Sequence, residues 1–221
     1  MPRVTALTVA TPVEGSTVNT PRISLGEYIG YITTPDSRLR NRARMLRDVS
    51  PYDPAKEYWR HVRLGVEKDR RTTRDGQAVY AAALSARRGR EENFRHVAEV
   101  WERIVRRWRR HQRVVVDPVT INIGGADVVV RPRFAERDPS GQREIVFVRF
   151  SVTAPLDVEK ANKILRIAQR AYPRDTVVIV DLPCGEKAYV AGPARNLSRY
   201  DEALERDGLH IASILAVDDV A

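Results

Sequence analysis

Cysteine is almost absent from this sequence, because Cys184 is the only one in 221 residues. One thiol cannot form a disulfide framework or a thiolate metal cluster within the chain, which excludes both of these ways of stabilising a small domain. No apolar run approaches the roughly 18 uninterrupted residues of a membrane-spanning helix. The start of the chain also lacks the charged cap and continuous apolar block of a secretory signal. These absences predict a cytoplasmic protein with a flexible arm over residues 1–21.

Common catalytic and cofactor-binding motifs are missing as well. The chain has no Gly-x-Ser-x-Gly or Gly-x-Gly-x-x-Gly pattern, and no Lys-Ser/Thr follows Gly124 and Gly125 as it would in a phosphate loop. The four histidines are scattered and form no His-Glu-x-x-His pair. We therefore expect no cofactor, and we expect structural rather than metal-binding roles for the histidines.

Positive charge is abundant but unevenly distributed. Residues 36–113 hold 22 Lys and Arg against 11 Asp and Glu, whereas residues 114–221 hold 14 against 16. A basic surface on one part of a molecule is typical of proteins that bind polyanions. The competing interpretation is that most of these cations lie on solvated helix faces. Of the 38 cations 33 are Arg, and a GC-rich genome favours arginine codons whether or not the protein binds a polyanion.

The front half is predicted to be helical. Ser24 and Glu27 have the spacing of a capping box, and an arginine-rich amphipathic stripe follows Pro35. The longest helix candidate runs from Glu91 to His111, with apolar residues repeating at three and four. Its basic end suits the helix dipole, so a local role explains part of that arginine run.

Three short strands and an amphipathic helix are predicted next. The strands cover Val119–Ile123, then Ala126–Phe134, then Glu144–Val152, with turns between them. Asp157 is the predicted cap of a helix reaching Ala171. Two more strands, over 175–182 and 187–191, precede a helix closed by Gly208 and a final apolar run that is either strand or helix. This order predicts an α+β fold, with a basic helical region over 22–113 packed on a mixed α/β core over 114–221.

The strand trio, crossing helix and further buried strand resemble the core of restriction-endonuclease-like folds, the PD-(D/E)XK superfamily. In that superfamily a Pro-Asp on the second strand and an acid-x-Lys on the third hold a divalent metal and activate water. Here Pro132-Arg133-Phe134 is similar to the first element and Phe147-Val148-Arg149 to the second. Three further segments, 21–25, 130–132 and 150–156, are similar to a group of actinobacterial proteins, a resemblance that implies no activity.

This chain departs from the superfamily at the residues that matter for catalysis. Arg133 stands at the first carboxylate position, Phe147 at the second, and Arg149 at the lysine position. An arginine neither gives up a proton near neutral pH nor ligates a metal, and hard cations need oxygen ligands. The resemblance therefore implies a degenerate nuclease core with no catalytic residues and no metal.

Substitute carboxylates nevertheless lie close by in the sequence. Asp127, Glu136 and Glu144 all fall near predicted strand ends. We favour surface acids over a migrated metal site. The hairpin could pair in either of two registers, and the register decides which face of the sheet each side chain occupies, so the sequence does not bring these carboxylates together.

The tryptophans also have two interpretations. Trp101 and Trp108 lie seven apart on the apolar stripe of their helix, so core packing is favoured over base stacking. Trp59 lies one residue off its stripe and is the better candidate for exposure.

The leading hypothesis is a non-catalytic nucleic-acid-binding or accessory protein of a defence or mobile-element system. The alternative is a protein–protein scaffold or complex subunit whose basic helices meet an acidic partner or a membrane surface, and a surviving nuclease ranks third. The predicted nucleic-acid-binding residues are Arg38, Arg42, Arg106, Arg107, Arg109, Arg110, Arg113, Arg133 and Arg149.

Overall fold

The computed structural model describes residues 20–32, 34, 38–39, 41, 45–46, 57–86, 89–150, 156–185, 187–192 and 195–216. These residues contain two β-sheets and six helices with defined bounds, and residues 38–39, 41 and 45–46 are also helical. The helices are α1 (Leu25–Ile32), α2 (Arg60–Arg71), α3 (Gln77–Leu84), α4 (Glu91–Val105), α5 (Val158–Ala171) and α6 (Asp201–Ala216). The strands are β1 (Arg22–Ser24), β2 (Gln112–Val114), β3 (Val119–Ile123), β4 (Ala126–Val130), β5 (Phe134–Arg137), β6 (Arg143–Arg149), β7 (Thr176–Asp181) and β8 (Lys187–Ala191). Short 3-10 turns occupy Arg106–Trp108, Leu182–Cys184 and Ser198–Tyr200. None of these helices is long and apolar enough to cross a membrane.

The main sheet has the strand order β2-β5-β6-β7-β8. Strands β2, β5 and β6 pair antiparallel, β6 and β7 pair parallel, and β8 returns antiparallel to β7. A parallel pair needs a crossover, which α5 provides. The predicted cap is confirmed, because the Asp157 carboxylate accepts a hydrogen bond from the Lys160 amide at 2.8 Å.

The main sheet has a separate apolar core on each face. Val146, Val178 and Val180 point toward α2, α3 and α4, where they pack with Trp101 and Trp108. Alternate residues of the same strands point toward α5, α6 and the smaller sheet, which has the order β1-β4-β3. Both faces of the central strands are covered, which explains why β7 is apolar and buried along nearly its whole length.

The α+β class is confirmed, but several boundaries differ from the sequence prediction, among them the long helix predicted to reach His111, which ends at Val105. The predicted strand Ala126–Phe134 is two strands in two sheets, since Pro132 lacks the amide that a continuous ladder would need. Residues 112–114, predicted to lie at the boundary between the helical region and the core, form the edge strand β2, and residues 22–24 pair with β4. The region predicted as helical therefore contributes strand residues to each sheet.

The final apolar run is helix, and Gly208 lies inside it rather than ending it. A Cβ at Gly208 would lie 2.1 Å from the carbonyl oxygen of Ile123, so glycine is required for the close approach of α6 to the turn between β3 and β4. Glu205 reinforces this contact by accepting a hydrogen bond from the Gly124 amide at 2.5 Å.

Candidate functional site

A basic segment joins helix α4 to the edge strand β2. The 3-10 turn buries the Trp108 indole, and the five arginines around it, Arg106, Arg107, Arg109, Arg110 and Arg113, are exposed. We call these five residues the arginine edge. The turn keeps its shape through backbone hydrogen bonds, since the Arg109 amide donates to Arg106 and the His111 amide donates to Trp108.

Two buried glutamates lie beneath the arginine edge. Strand pairing places Glu136 of β5 opposite Arg113 of β2, and Glu144 of β6 opposite Glu136. Residues directly opposite share a face, so the two carboxylates are neighbours on the side of the sheet covered by α2 and α4. Glu136 is fully buried and Glu144 is 7% exposed. Two buried like charges in this position require cations from elsewhere.

Two arginines of the α2 end neutralise Glu136. Arg70 Nε lies 2.5 Å from one carboxylate oxygen, and Arg74 Nη2 lies 3.2 Å from the other. Arg70 also donates to the Ala135 carbonyl at 2.8 Å and lies over the Phe134 ring. Burial lowers the pKa of Arg70, while its hydrogen bond to Glu136 works in the opposite direction.

The arginine edge itself neutralises Glu144. Arg107 donates from Nη2 at 2.5 Å and from Nε at 3.2 Å, and the Trp108 indole donates at 2.8 Å. Burial tends to raise the pKa of Glu144, but the hydrogen bonds from Arg107 and Trp108 outweigh it, and the pKa lies below its ordinary value. Glu144 is therefore ionised and holds the start of the arginine edge against the sheet.

Arg74 also contacts the arginine edge, through the backbone carbonyls on either side of Arg109 and Arg110. Its Nη1 donates to the carbonyl of Trp108 and, at 2.6 Å, to that of His111. In return, Arg109 Nε donates to the Arg74 carbonyl at 3.3 Å. Arg70 and Arg74 were not among the residues predicted from the sequence for this site. Arg70 and Arg74 are four residues apart, so both side chains can reach one carboxylate. This spacing indicates a shared ion pair only when the position of Glu136 in the fold is known.

The outermost arginines of the edge are available to a ligand. Arg106 pairs with Glu102 at 2.8 Å and its side chain is still 57% exposed. Arg109, Arg110 and Arg113 are exposed, and none of them forms an ion pair with any residue in the described ranges. The arrangement thus combines arginines that are anchored to buried carboxylates with arginines that face solvent.

The three tryptophans do not add a stacking surface to this site. Trp101 is fully buried and Trp108 is 1% exposed, which confirms core packing for both. Trp59, the candidate for exposure, is half-buried and stacks on Phe94 with 5.4 Å between ring centroids, while Phe150 lies nearby. A ligand at the arginine edge would therefore meet guanidinium groups and not indole faces.

The positions that resemble nuclease motif residues contain internal ion pairs. Arg133 lies 2.5 Å from Glu67 of α2 and donates to the Arg63 carbonyl, and burial lowers its pKa. Arg149 donates to both oxygens of the fully buried Asp181, at 2.9 and 3.0 Å. The structure places Arg133 and Arg149 apart from the arginine edge, with side chains 18% and 15% exposed. Arg133 and Arg149 are poorly placed for the nucleic-acid contact that the sequence predicted, because their guanidinium groups are paired with Glu67 and Asp181.

The substitute carboxylates do not converge on a metal-ligand cluster. Asp127 accepts a hydrogen bond from Asn122 at 2.9 Å, and Glu136 and Glu144 are bound by arginines. Glu136 and Glu144 are buried rather than surface acids, which corrects the expectation for those two. Among the described residues, no group of three or more His, Cys, Asp or Glu is arranged to hold a metal ion.

The remaining predicted residues lie in the front half. Arg38 is exposed. Arg42 lies outside the described residues, as do its basic neighbours Arg40, Arg44 and Arg47.

Comparison with known proteins identifies no family. No family model and no curated protein matches the chain. A solved structure described as the crystal structure of SSO0001 is similar over 89% of this chain and 79% of that one, at 13% sequence identity and a TM-score of 0.35.

Proposed function

We propose that this chain is a non-catalytic nucleic-acid-binding protein, built on a degenerate restriction-endonuclease-like core, that contacts phosphates through the arginine edge. The observation that carries the proposal is that an arginine anchored to a buried carboxylate and arginines without an ion pair among the described residues lie together at one sheet edge. Arg107 is fixed by buried Glu144, whereas Arg109, Arg110 and Arg113 project without an ion pair to any described residue. Guanidinium groups bind phosphate oxygens well because their planar donors match phosphate geometry.

The topology of the main sheet supports the proposed core. Strands β2, β5 and β6 form an antiparallel trio, α5 crosses over, and the buried strand β7 lies parallel to β6. The resemblance to restriction-endonuclease-like folds was based on this order of strands and helix. The sequence assigned the trio to residues 119–123, 126–134 and 144–152, whereas β2, β5 and β6 form it in the structure. Arginines and a phenylalanine at the expected motif positions support a binding role without cleavage.

Binding through this edge is expected to be independent of sequence. Phosphate contacts position a protein on nucleic acid but carry no direct sequence information. No tryptophan is free at the edge to stack on bases, as a single-strand platform would require. The proposed ligand feature is therefore the phosphate backbone.

Fluorescence anisotropy with a labelled nucleic acid tests the proposal across a salt series. On duplex DNA, each phosphate that an arginine neutralises contributes roughly −0.9 to the slope of log affinity against log salt, so Arg109, Arg110 and Arg113 together predict a slope of about −2.7. The triple variant Arg109→Gln, Arg110→Gln, Arg113→Gln should bind more weakly and flatten that slope.

A matched triple variant controls for net charge. Arg60, Arg95 and Arg206 are exposed arginines on α2, α4 and α6, and replacing them with Gln removes the same formal charge. We expect this control to keep most of the affinity and slope. Equal losses in the two triple variants would show that only overall charge matters and would overturn the assignment to this edge.

The same samples separate the competing functions. We expect no magnesium- or manganese-dependent cleavage of DNA or RNA, because Arg133 and Phe147 occupy the positions of the metal-binding carboxylates. Cleavage that disappears in an Asp127→Ala variant would instead indicate a migrated metal site. If the folded wild-type protein binds neither DNA nor RNA at low salt, the scaffold hypothesis with an acidic protein partner replaces the proposal.

A further inference from the structure

Arg74 has an unusual backbone for its residue type. Its φ is 55°, and it is the only non-glycine residue with positive φ in the described part of the chain. Arginine rarely adopts this left-handed conformation, which costs free energy unless the surrounding contacts hold it in place. The Arg74 amide donates to the Asp69 carbonyl at 3.0 Å, at the end of α2. The contacts of the side chain explain what maintains the strained backbone.

The side chain of Arg74 uses every guanidinium nitrogen inside the protein. Nε donates to the Arg70 carbonyl at 3.3 Å, Nη2 pairs with Glu136, and Nη1 donates to the carbonyls of Trp108 and His111. Only 12% of the side chain is exposed. Arg74 therefore has little capacity to contact a ligand directly, and its role must be exerted through the groups that it holds.

The two carbonyls that Arg74 holds lie on either side of Arg109 and Arg110. Trp108 precedes these two residues and His111 follows them, so one guanidinium group fixes both ends of the turn that presents them. Arg109 is fixed a second time, through its own hydrogen bond to the Arg74 carbonyl. Ordering a flexible, charged segment before a ligand arrives removes part of the entropy cost of binding.

We propose that Arg74 is a positioning residue for the arginine edge: it sets the conformation of the Arg109–Arg110 turn without touching the ligand. This inference rests on the proposed function, because it assigns a role within the same phosphate-binding site. It differs from a purely structural role in one measurable respect. Loss of a positioning residue should lower affinity while leaving the number of phosphate contacts, and hence the salt slope, unchanged.

The variant Arg74→Gly isolates the side chain. Glycine adopts positive φ readily, so this change removes the hydrogen bonds of the Arg74 side chain and relieves the backbone strain at the same time. We expect affinity for a labelled DNA duplex to fall about tenfold, which corresponds to ordering two arginine side chains on binding. The slope against log salt should stay at the wild-type value, in contrast to the Arg109, Arg110 and Arg113 triple variant.

Chemical rescue adds a second readout. Guanidinium ion at millimolar concentration can occupy the space that the Arg74 side chain leaves and should restore part of the affinity of Arg74→Gly. Sodium chloride at the same ionic strength controls for screening and should restore none. Arg74→Lys provides a further variant if Arg74→Gly does not fold, because lysine keeps the charge beside Glu136 but lacks the planar fork that reaches both carbonyls. It should bind as weakly as Arg74→Gly.

Limited trypsin digestion tests, without any ligand, whether Arg74 orders the Arg109–Arg110 turn. Trypsin cuts after arginine, and cleavage at Arg109 or Arg110 should be faster in either Arg74 variant than in the wild type. Wild-type affinity and cleavage rate in a folded Arg74→Gly protein would overturn the inference while leaving the proposed function intact. Absence of binding by the wild type would remove the proposed function, and the digestion would still decide whether Arg74 orders the turn.

Discussion

Replacing Glu136 with Gln is the most direct test of how the arginine edge is anchored. The change keeps the shape of the side chain and removes its charge. Glu136 is fully buried, and the two side chains that it neutralises, Arg70 and Arg74, are only 15% and 12% exposed. In the variant, two neighbouring guanidinium groups would remain largely buried with no carboxylate between them.

The size of the effect follows from these contacts. Removing one partner of a buried ion pair costs about 3–5 kcal/mol. Arg70 keeps the Ala135 carbonyl and Arg74 keeps the carbonyls of Trp108 and His111, so the lower end of that range applies. We expect Glu136→Gln to lower the free energy of unfolding by about 3 kcal/mol. For a chain of this size, that corresponds to a fall of roughly 6–12 °C in Tm.

Urea and thermal unfolding followed by circular dichroism measure this difference. Glu102→Gln is the matched control, because Glu102 pairs with the mostly exposed Arg106 and should contribute only about 0.3–0.5 kcal/mol. A Glu136→Gln protein within about 1 kcal/mol of the wild type would refute the argument, since it would mean that Arg70 and Arg74 do not depend on this carboxylate.

Two further predictions concern other parts of the fold. Gly208→Ala should destabilise the protein by about 1–3 kcal/mol in urea unfolding, because the new Cβ would collide with the Ile123 carbonyl and outweigh the better helix propensity of alanine. Gly26→Ala, whose Cβ would meet only Ser24 Oγ at 3.8 Å, is the control and should be neutral or stabilising. The pKa of Glu144 is lowered in the folded state, so its contribution to stability is present above the unfolded pKa of about 4.3 and is lost as pH falls through the lower folded pKa. The stability difference between wild type and Glu144→Gln should therefore be constant near neutral pH and shrink in that acidic range; a difference that grows on acidification would contradict the sign.

Local sequence signals predicted the main elements well. The capping box at Ser24 and Glu27 is present, with the Glu27 amide donating to Ser24 Oγ and the Ser24 amide donating to the Glu27 carboxylate. The cap at Asp157 and the apolar stripe containing Trp101 and Trp108 were also confirmed. These features depend on spacing along the chain, which is fully visible in the sequence.

The sequence by itself determined the α+β class, the helix from Val158 to Ala171, and the concentration of arginine in the front half. It could not determine which sheet each short strand joins, because strand pairing is a contact between distant residues and edge strands such as β2 have little apolar pattern. It also could not separate arginines that face solvent from arginines bound inside. Arg107 and Arg110 look alike in sequence, yet only the tertiary structure places buried Glu144 within reach of the first. The physical reason is that a buried carboxylate strongly favours a nearby guanidinium group, and which arginine lies near enough is decided by how helices and sheet pack together.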